Sequence, residues 1–327
     1  MNAKHRLIST TLALAACLGA GASLAQQAYP ARPIRMVIPL PPGGAIDIVA
    51  RTTGAIAAER LGQTFVYDNR PGANTIVATE NCTRAAPDGY TICFITSSLT
   101  LNQFLYSKLP YDSARDIEPI TNLVMPYEGL FLSASVPAGT LNELVEYSKA
   151  NPGKLNFGSL GVGGAPHLVP EWVVRHTGAS FTHVPYKGIA EVMRAFAAGE
   201  IHMMFVALGN PGFIDNVRSG KMKLIFVSAD RRSPSVPEAP TLSEAGVPDH
   251  GFRSWWGMAA PAGTPRDLIG KLHAAFVEAL RSPGVRQRFL SLGLEVVGNT
   301  PEEFGRYIAE DRPRGERLVR TSGARLD

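Results

Sequence analysis

The chain has 327 residues, with 32 Lys and Arg against 28 Asp and Glu, and 45% of it is hydrophobic. The small excess of base is scattered along the sequence, which argues against a nucleic-acid partner. Past the first residues no segment approaches the ~20 apolar residues of a membrane-spanning helix.

The amino terminus carries Lys4 and Arg6 ahead of an apolar run from Leu7 to Gly21, and Ser23 and Ala25 stand in the positions expected before a cut after Ala25. Residues 1–25 therefore read as a secretory signal peptide, which places the mature protein in the periplasm. The competing reading takes Leu14-Ala15-Ala16-Cys17 as a lipoprotein box that leaves a lipidated Cys17. The roughly 300 residues that remain exceed one typical core and suit two α/β lobes.

Along the mature chain, Ile34 to Leu40 predicts a strand, followed by a Pro-Gly turn and then apolar residues from Ile46 to Leu61 at helical spacing. Thr64 to Asp68 and Thr91 to Ser97 predict further strands around a helix near Ile76 to Ala85, so the rhythm is βαβαβ. Cys82 and Cys93 flank the Pro87-Asp88-Gly89 turn and read as one disulfide in an oxidising compartment, two buried thiols being the alternative.

After Pro126 the pattern restarts with a strand from Gly129 and a helix opened by Thr140 and Glu143 at capping-box spacing. It continues through strands near Leu155, Phe181, Ile201 and Lys223, with helices near Pro166, Gly188 and Pro211. The Pro-rich stretch from Ser233 to Pro248 reads as a connector with a short helix at Leu242 to Ala245. Beyond it come a strand from Ser254 and three helices, at Thr264-Pro265, Ser282-Pro283 and Thr300-Pro301, each pairing a capping hydroxyl with proline at the first helical position. This gives one lobe from residues 26–125 plus 252–327 and another from 126–251.

Two segments invite an anion. Pro41-Pro42-Gly43-Gly44-Ala45-Ile46-Asp47 joins a strand to a helix, and free N–H groups at such a helix start favour a carboxylate or phosphate. Gly161-Val162-Gly163-Gly164-Ala165-Pro166-His167 repeats the arrangement in the second lobe and completes neither a P-loop nor a dinucleotide fingerprint. Candidate ligand contacts are Pro42, Gly43, Gly44, Ala45, Asp47, Ser97 and Ser98 on one side, and Gly163, Gly164, Ala165, His167, Tyr186, Phe205 and Val206 on the other. Catalysis finds no motif: the seven histidines are scattered, and His167 with Glu171 supplies too few ligands for a metal. No catalytic residue, metal or cofactor is expected.

The chain closely resembles the substrate-binding receptors of tripartite tricarboxylate transporters, the Bug-type receptors. The likeness runs through Tyr29-Pro30, the Pro41-Pro42-Gly43-Gly44 loop with Asp47, and Asn69-Arg70-Pro71-Gly72-Ala73. It continues in Ala86-Pro87-Asp88-Gly89-Tyr90-Thr91, Val184-Pro185-Tyr186-Lys187-Gly188 and Ala260-Pro261-Ala262-Gly263-Thr264-Pro265. The resemblance implies a two-lobed periplasmic binding protein fold of the type II, Venus-flytrap kind, with a mixed sheet in each lobe. It further implies a monomer that carries a small organic carboxylate to membrane transporter subunits and does no chemistry on it. A sensory binding component and, less favoured, a hydrolase using the same cleft are the alternatives. Ala45, His202, Val206 and Ala207 stand where relatives often carry polar or acidic residues. With Phe205, Trp255 and Trp256 nearby, the departures point to an apolar cleft suited to an aromatic or medium-chain carboxylate, a dicarboxylate being the other class.

Overall fold

The computed structural model describes residues 29–326. The expected signal segment and Cys17 lie outside the described residues. The chain divides into a unit ending at Ala31 and a compact unit from Arg32 to Asp327 that holds both sheets.

The first sheet begins with β1 (Ile34–Ile38), buried at every residue but Arg35, which pairs with Asp68. A strand so largely apolar and covered belongs inside a parallel array. It pairs in parallel with β2 (Phe65–Asn69) and β3 (Thr91–Thr96). Helix α1 (Ala45–Leu61) joins the first pair and stops at Gly62, which takes φ 67° as a C-terminal cap. Helices α2 (Ile76–Thr83) and α3 (Ser98–Leu105) flank β3, and β4 (Ile117–Pro126) completes the first passage through this lobe. A disulfide links Cys82 at the end of α2 to Cys93 on β3, their Cα atoms 6.0 Å apart.

A single residue, Tyr127, separates β4 from β5 (Glu128–Ser133), the first strand of the second sheet. Helix α4 (Leu141–Ala150) is opened by the expected capping box, in which Thr140 accepts from the Glu143 N–H and Glu143 accepts from the Thr140 N–H. Then follow β6 (Asn156–Ser159), α5 (Ala165–Thr177), β7 (Thr182–Pro185), α6 (Ile189–Ala197), β8 (Met203–Ala207), α7 (Phe213–Arg218) and β9 (Met222–Ser228). A connector of residues 229–255 leads back to β10 (Trp256–Pro261) in the first sheet, followed by α8 (Arg266–Arg281), α9 (Pro283–Ser291), β11 (Leu294–Val296) and α10 (Pro301–Ser322).

The sheets have one plan. Their orders are β2-β1-β3-β10-β4, extended by β11, and β7-β6-β8-β5-β9. Within the five strands common to both, one strand of each sheet runs antiparallel to both neighbours, β10 between β3 and β4 and β5 between β8 and β9. That strand is the one entered directly from the other sheet. Consequently β1 and β6 hold equivalent places, and the glycine-rich loops that leave them are equivalent too.

Some local expectations are revised. Leu242 to Ala245 forms one hydrogen-bonded turn rather than a helix. Of the three expected hydroxyl caps only Thr300 accepts a helix N–H; the Thr264 hydroxyl donates to the Pro261 carbonyl, and Ser282 makes no side-chain cap.

Candidate functional site

A cleft of about 720 Å³ lies between the sheets, lined by both glycine-rich loops and by both crossovers. On the first lobe, the backbone turns at Gly43 with φ 90°, and Gly44 is the extended N-cap of α1. Asp47 braces this turn. Its Oδ2 accepts from the Gly43 N–H at 3.1 Å and from Arg51 Nε at 2.9 Å, and its Oδ1 accepts from Asn69 at 3.3 Å. Asn69 also donates to the Leu40 carbonyl at 2.7 Å, tying the strand end to the same network. Burial opposes ionisation of Asp47, yet the hydrogen bonds from Arg51, Gly43 and Asn69 outweigh it and hold the carboxyl below its usual range.

Across the cleft, Asn210 follows β8. Its Oδ1 accepts from the Ala45 N–H, a free donor of the first turn of α1, at 3.1 Å, while its amide donates to the Ala207 carbonyl. A Cβ on Gly44 would stand 3.4 Å from Ile189 Cγ2, and one on Gly188 would stand 3.0 Å from Pro41 Cγ. These contacts form one lip of the cleft.

The other lip brings Asn74 against the second loop. Ala73, Asn74 and Thr75 all take positive φ, 44°, 46° and 73°. Three such residues in succession, none of them glycine, cost about 1–3 kcal/mol each and persist only where surroundings enforce them. Asn102 does so: it accepts from Asn74 Nδ2 at 2.8 Å and donates to the Asn74 carbonyl at 3.0 Å. The Ser98 hydroxyl donates to Asn74 Oδ1 at 3.0 Å. Facing it, a Cβ on Gly164 would come within 3.0 Å of the same Oδ1. Gly163 has φ 96°, which favours glycine, and a Cβ there would have to displace the terminal methyls of Leu326 and Leu105, 2.8 Å and 2.9 Å away.

Behind the second loop lies a histidine pair. His167 and His183 stack with ring centroids 4.1 Å apart, and His183 stacks in turn on Phe157. The Gly163 N–H donates to His167 Nδ1, and the Ser159 hydroxyl donates to the Gly161 carbonyl while meeting His183 Nε2 at 2.6 Å. Having spent its proton on Gly161, Ser159 accepts from His183, so that ring carries its proton on Nε2. Burial pushes both histidines down to about 4, with the neighbouring His167 a further cause for His183, so both are neutral at ordinary pH.

Of the residues proposed from sequence, Gly44, Ala45, Asp47, Ser97, Ser98, Gly164, Ala165 and Tyr186 line the cleft. Six do not. Pro42 and Gly43 turn outward into solvent. Gly163 and His167 are occupied with each other beneath the loop. Phe205 and Val206 are fully buried on opposite faces of β8, in separate apolar cores, because successive strand side chains alternate. Only the end of that strand, Ala207 and then Asn210, reaches the cleft. Trp256 lines it too, whereas Trp255 is sealed in the first lobe and donates to Asp311 at 2.8 Å. His202 accepts from the Asn156 N–H at the amino-terminal ends of the neighbouring strands β8 and β6. Sequence reading missed Asn74, Asn210, Glu128 and Ser254, all of which line the cleft. Among the described residues lining it, Lys187 is the one cation, so an anion there depends chiefly on backbone N–H groups and helix ends.

A family model described as the tripartite tricarboxylate transporter family receptor matches residues 49–324. BugT of Bordetella pertussis is 31% identical over 327 residues, which cover 98% of each chain. The solved periplasmic binding protein BugD superposes with a TM-score of 0.86 at 31% identity, over 91% of this chain and all of that one. A structure of R. palustris Rpa4515 with adipate gives the same TM-score at 30% identity, again over 91% of this chain and all of that one.

Proposed function

The chain belongs to the tripartite tricarboxylate transporter receptor family, and we propose on that basis that it captures a small organic carboxylate between its lobes and passes it, unaltered, to membrane transporter subunits. The observation that carries this reading is the pair of equivalent glycine-rich loops, each opening a helix whose N-terminus borders one cleft. A helix N-terminus contributes only about 0.3–2 kcal/mol per charge, so two of them acting on one ligand suit a receptor that binds and releases. The cleft volume of about 720 Å³ falls within the ~300–1,000 Å³ of small-molecule sites. The relative solved with adipate supports the same ligand class.

In this reading Gly44, Ala45, Ser97, Ser98, Gly164, Ala165 and Tyr186 contact the ligand, while Asp47 and His167 hold the loops that do. Residues 1–25 are removed on export to the periplasm, residues 26–125 with 252–327 form one lobe, residues 126–251 form the other, and the receptor works as a monomer. The test is a thermal-shift screen of the mature protein against mono- and dicarboxylates, hydroxy and amino acids, aromatic acids and neutral controls. At 100 times Kd a ligand adds about 2.7 kcal/mol of stability, enough to move the melting temperature by degrees. Hits confined to acids, recovered chemically unchanged, support the reading. A neutral compound that stabilises while no acid does refutes it.

A further inference from the structure

The cleft contains an acid that a simple anion receptor has no use for. Glu128 opens β5 directly after the first crossover, and Ser254 lies on the second crossover just before β10. The two crossovers run side by side, so the Ser254 hydroxyl donates to Glu128 Oε2 at 2.6 Å across 126 residues of sequence. Both residues line the cleft, and Glu128 is otherwise buried, 7% exposed. Its second oxygen, Oε1, accepts no hydrogen bond from any described residue and is not among the sealed, unpartnered atoms, so it opens on the cleft. Asp47, the other carboxylate lining the cleft, has both oxygens engaged.

The surroundings do little to neutralise Glu128. In register beside it on β8 and β9 stand Ala207 and Ser228, and the guanidinium of Arg253, next to Ser254, is paired with Asp230. Burial pushes the Glu128 carboxyl up to about 7, with the Ser254 hydrogen bond and Arg253 pulling the other way. Above that pH the floor of the cleft presents an anion with a free acceptor oxygen. A second ligand carboxylate arriving there meets like charge and brings no proton to share, whereas an amine or hydroxyl fills Oε1.

Resting on the carboxylate-receptor reading, we infer that Glu128 determines specificity: it selects carboxylates carrying a hydrogen-bond donor, an amine or a hydroxyl, at the end that reaches the floor, over dicarboxylates of matched length. Ser254 positions the carboxyl that does this.

The test is calorimetric titration at pH 8 of the mature protein and of Glu128→Gln, which keeps the side-chain size. The ligands are two matched sets: succinate, 4-hydroxybutanoate, 4-aminobutanoate and butanoate, and the corresponding six-carbon acids with adipate. In the parent protein a donor-bearing acid binds at least about tenfold more tightly than its dicarboxylate. In Glu128→Gln that ratio falls at least about tenfold, while the affinity for the plain monocarboxylate changes less than about threefold. If Glu128→Gln does not fold, Ser254→Ala, which unties the carboxyl, is scored on the same ratio and is expected to lower it. A parent protein that prefers the dicarboxylate, or a ratio unchanged in the variant, overturns the role of Glu128 and leaves the receptor reading standing. Failure of every acid to bind either protein overturns both.

Discussion

Replacing Gly44 by leucine tests whether ligand binding needs the two lobes to meet at the first lip. Gly44 has φ −83° and ψ 174°, ordinary extended backbone that any residue adopts, so the substitution carries no backbone strain. Its Cβ would sit 3.4 Å from Ile189 Cγ2 and 3.7 Å from Asn210 Oδ1, normal contacts that an alanine makes without displacement. Leucine adds three carbons beyond that point, and they must enter the space held by the second lobe. Overpacking of this kind costs about 1–3 kcal/mol in the closed form, and the escape from it, parting the lip, gives up the Ala45–Asn210 hydrogen bond to water. A penalty of about 1–3 kcal/mol on closure corresponds to about 5- to 150-fold in Kd. The lobes relieve the clash by moving apart, so the ligand-free melting temperature of Gly44→Leu stays close to that of Gly44→Ala, with which it shares the modest cost of losing glycine at an N-cap. Calorimetric titration with the best acid of the screen decides the matter. Leucine binding within threefold of the parent protein, or alanine losing as much as leucine, refutes the lip as a ligand gate.

Replacing both Cys82 and Cys93 by serine opens a crosslink whose ends are 11 residues apart, and the chain-entropy model assigns a loop of that size about 3 kcal/mol. Urea denaturation should show a loss of that order, and a reductant should destabilise the parent protein and not the double variant; an equal response of both to reductant contradicts the assignment. Glu128 predicts a pH dependence of uncommon sign. Its carboxyl ionises near 4.5 in the unfolded chain and near 7 in the folded one, so between those values the folded state holds the extra proton and stability falls as pH rises. The full loss is at most ~3.5 kcal/mol, from about 1.4 kcal/mol per pH unit, and it should be absent from Glu128→Gln when urea midpoints are compared between pH 5 and pH 8. Identical profiles for the two proteins contradict it.

The loops of the site were legible because their chemistry is local. Proline and glycine between an apolar run and a helical period require a tight turn, and Gly43 and Gly163 do take the left-handed backbone that the pattern demands. What a side chain does there was less legible. Asp47 was read as a ligand contact, but its neighbours Gly43, Arg51 and Asn69 claim it first. Phe205 and Val206 were placed in the cleft by nearness in sequence, a criterion that ignores the alternation of a strand buried on both faces. β4 escaped notice because Pro119 and Pro126 interrupt it and burial on both sides removes its alternation. The left-handed turn at Ala73, Asn74 and Thr75 leaves no sequence signal, since none of the three is glycine and the conformation is imposed by Asn102 from another helix. Glu128 and Ser254 meet only because two distant crossovers run together, which no window along the chain records.

The shared strand plan has a bearing on how the protein comes into being. Between β3 and β4 the first sheet has a slot filled by β10, which lies some 130 residues further along the chain. A nascent chain that has emerged as far as Ser228 therefore has every strand of the second sheet in hand while the first sheet still shows two unpaired inner edges. The second lobe can mature on its own schedule, but the first must wait for the carboxyl-terminal quarter of the chain. Contacts of such long range are slow to form, so the segment from β1 to β4 stays uncommitted until β10 arrives. A polypeptide arranged in this order keeps that leading segment threadable while the second lobe behind it is already being built.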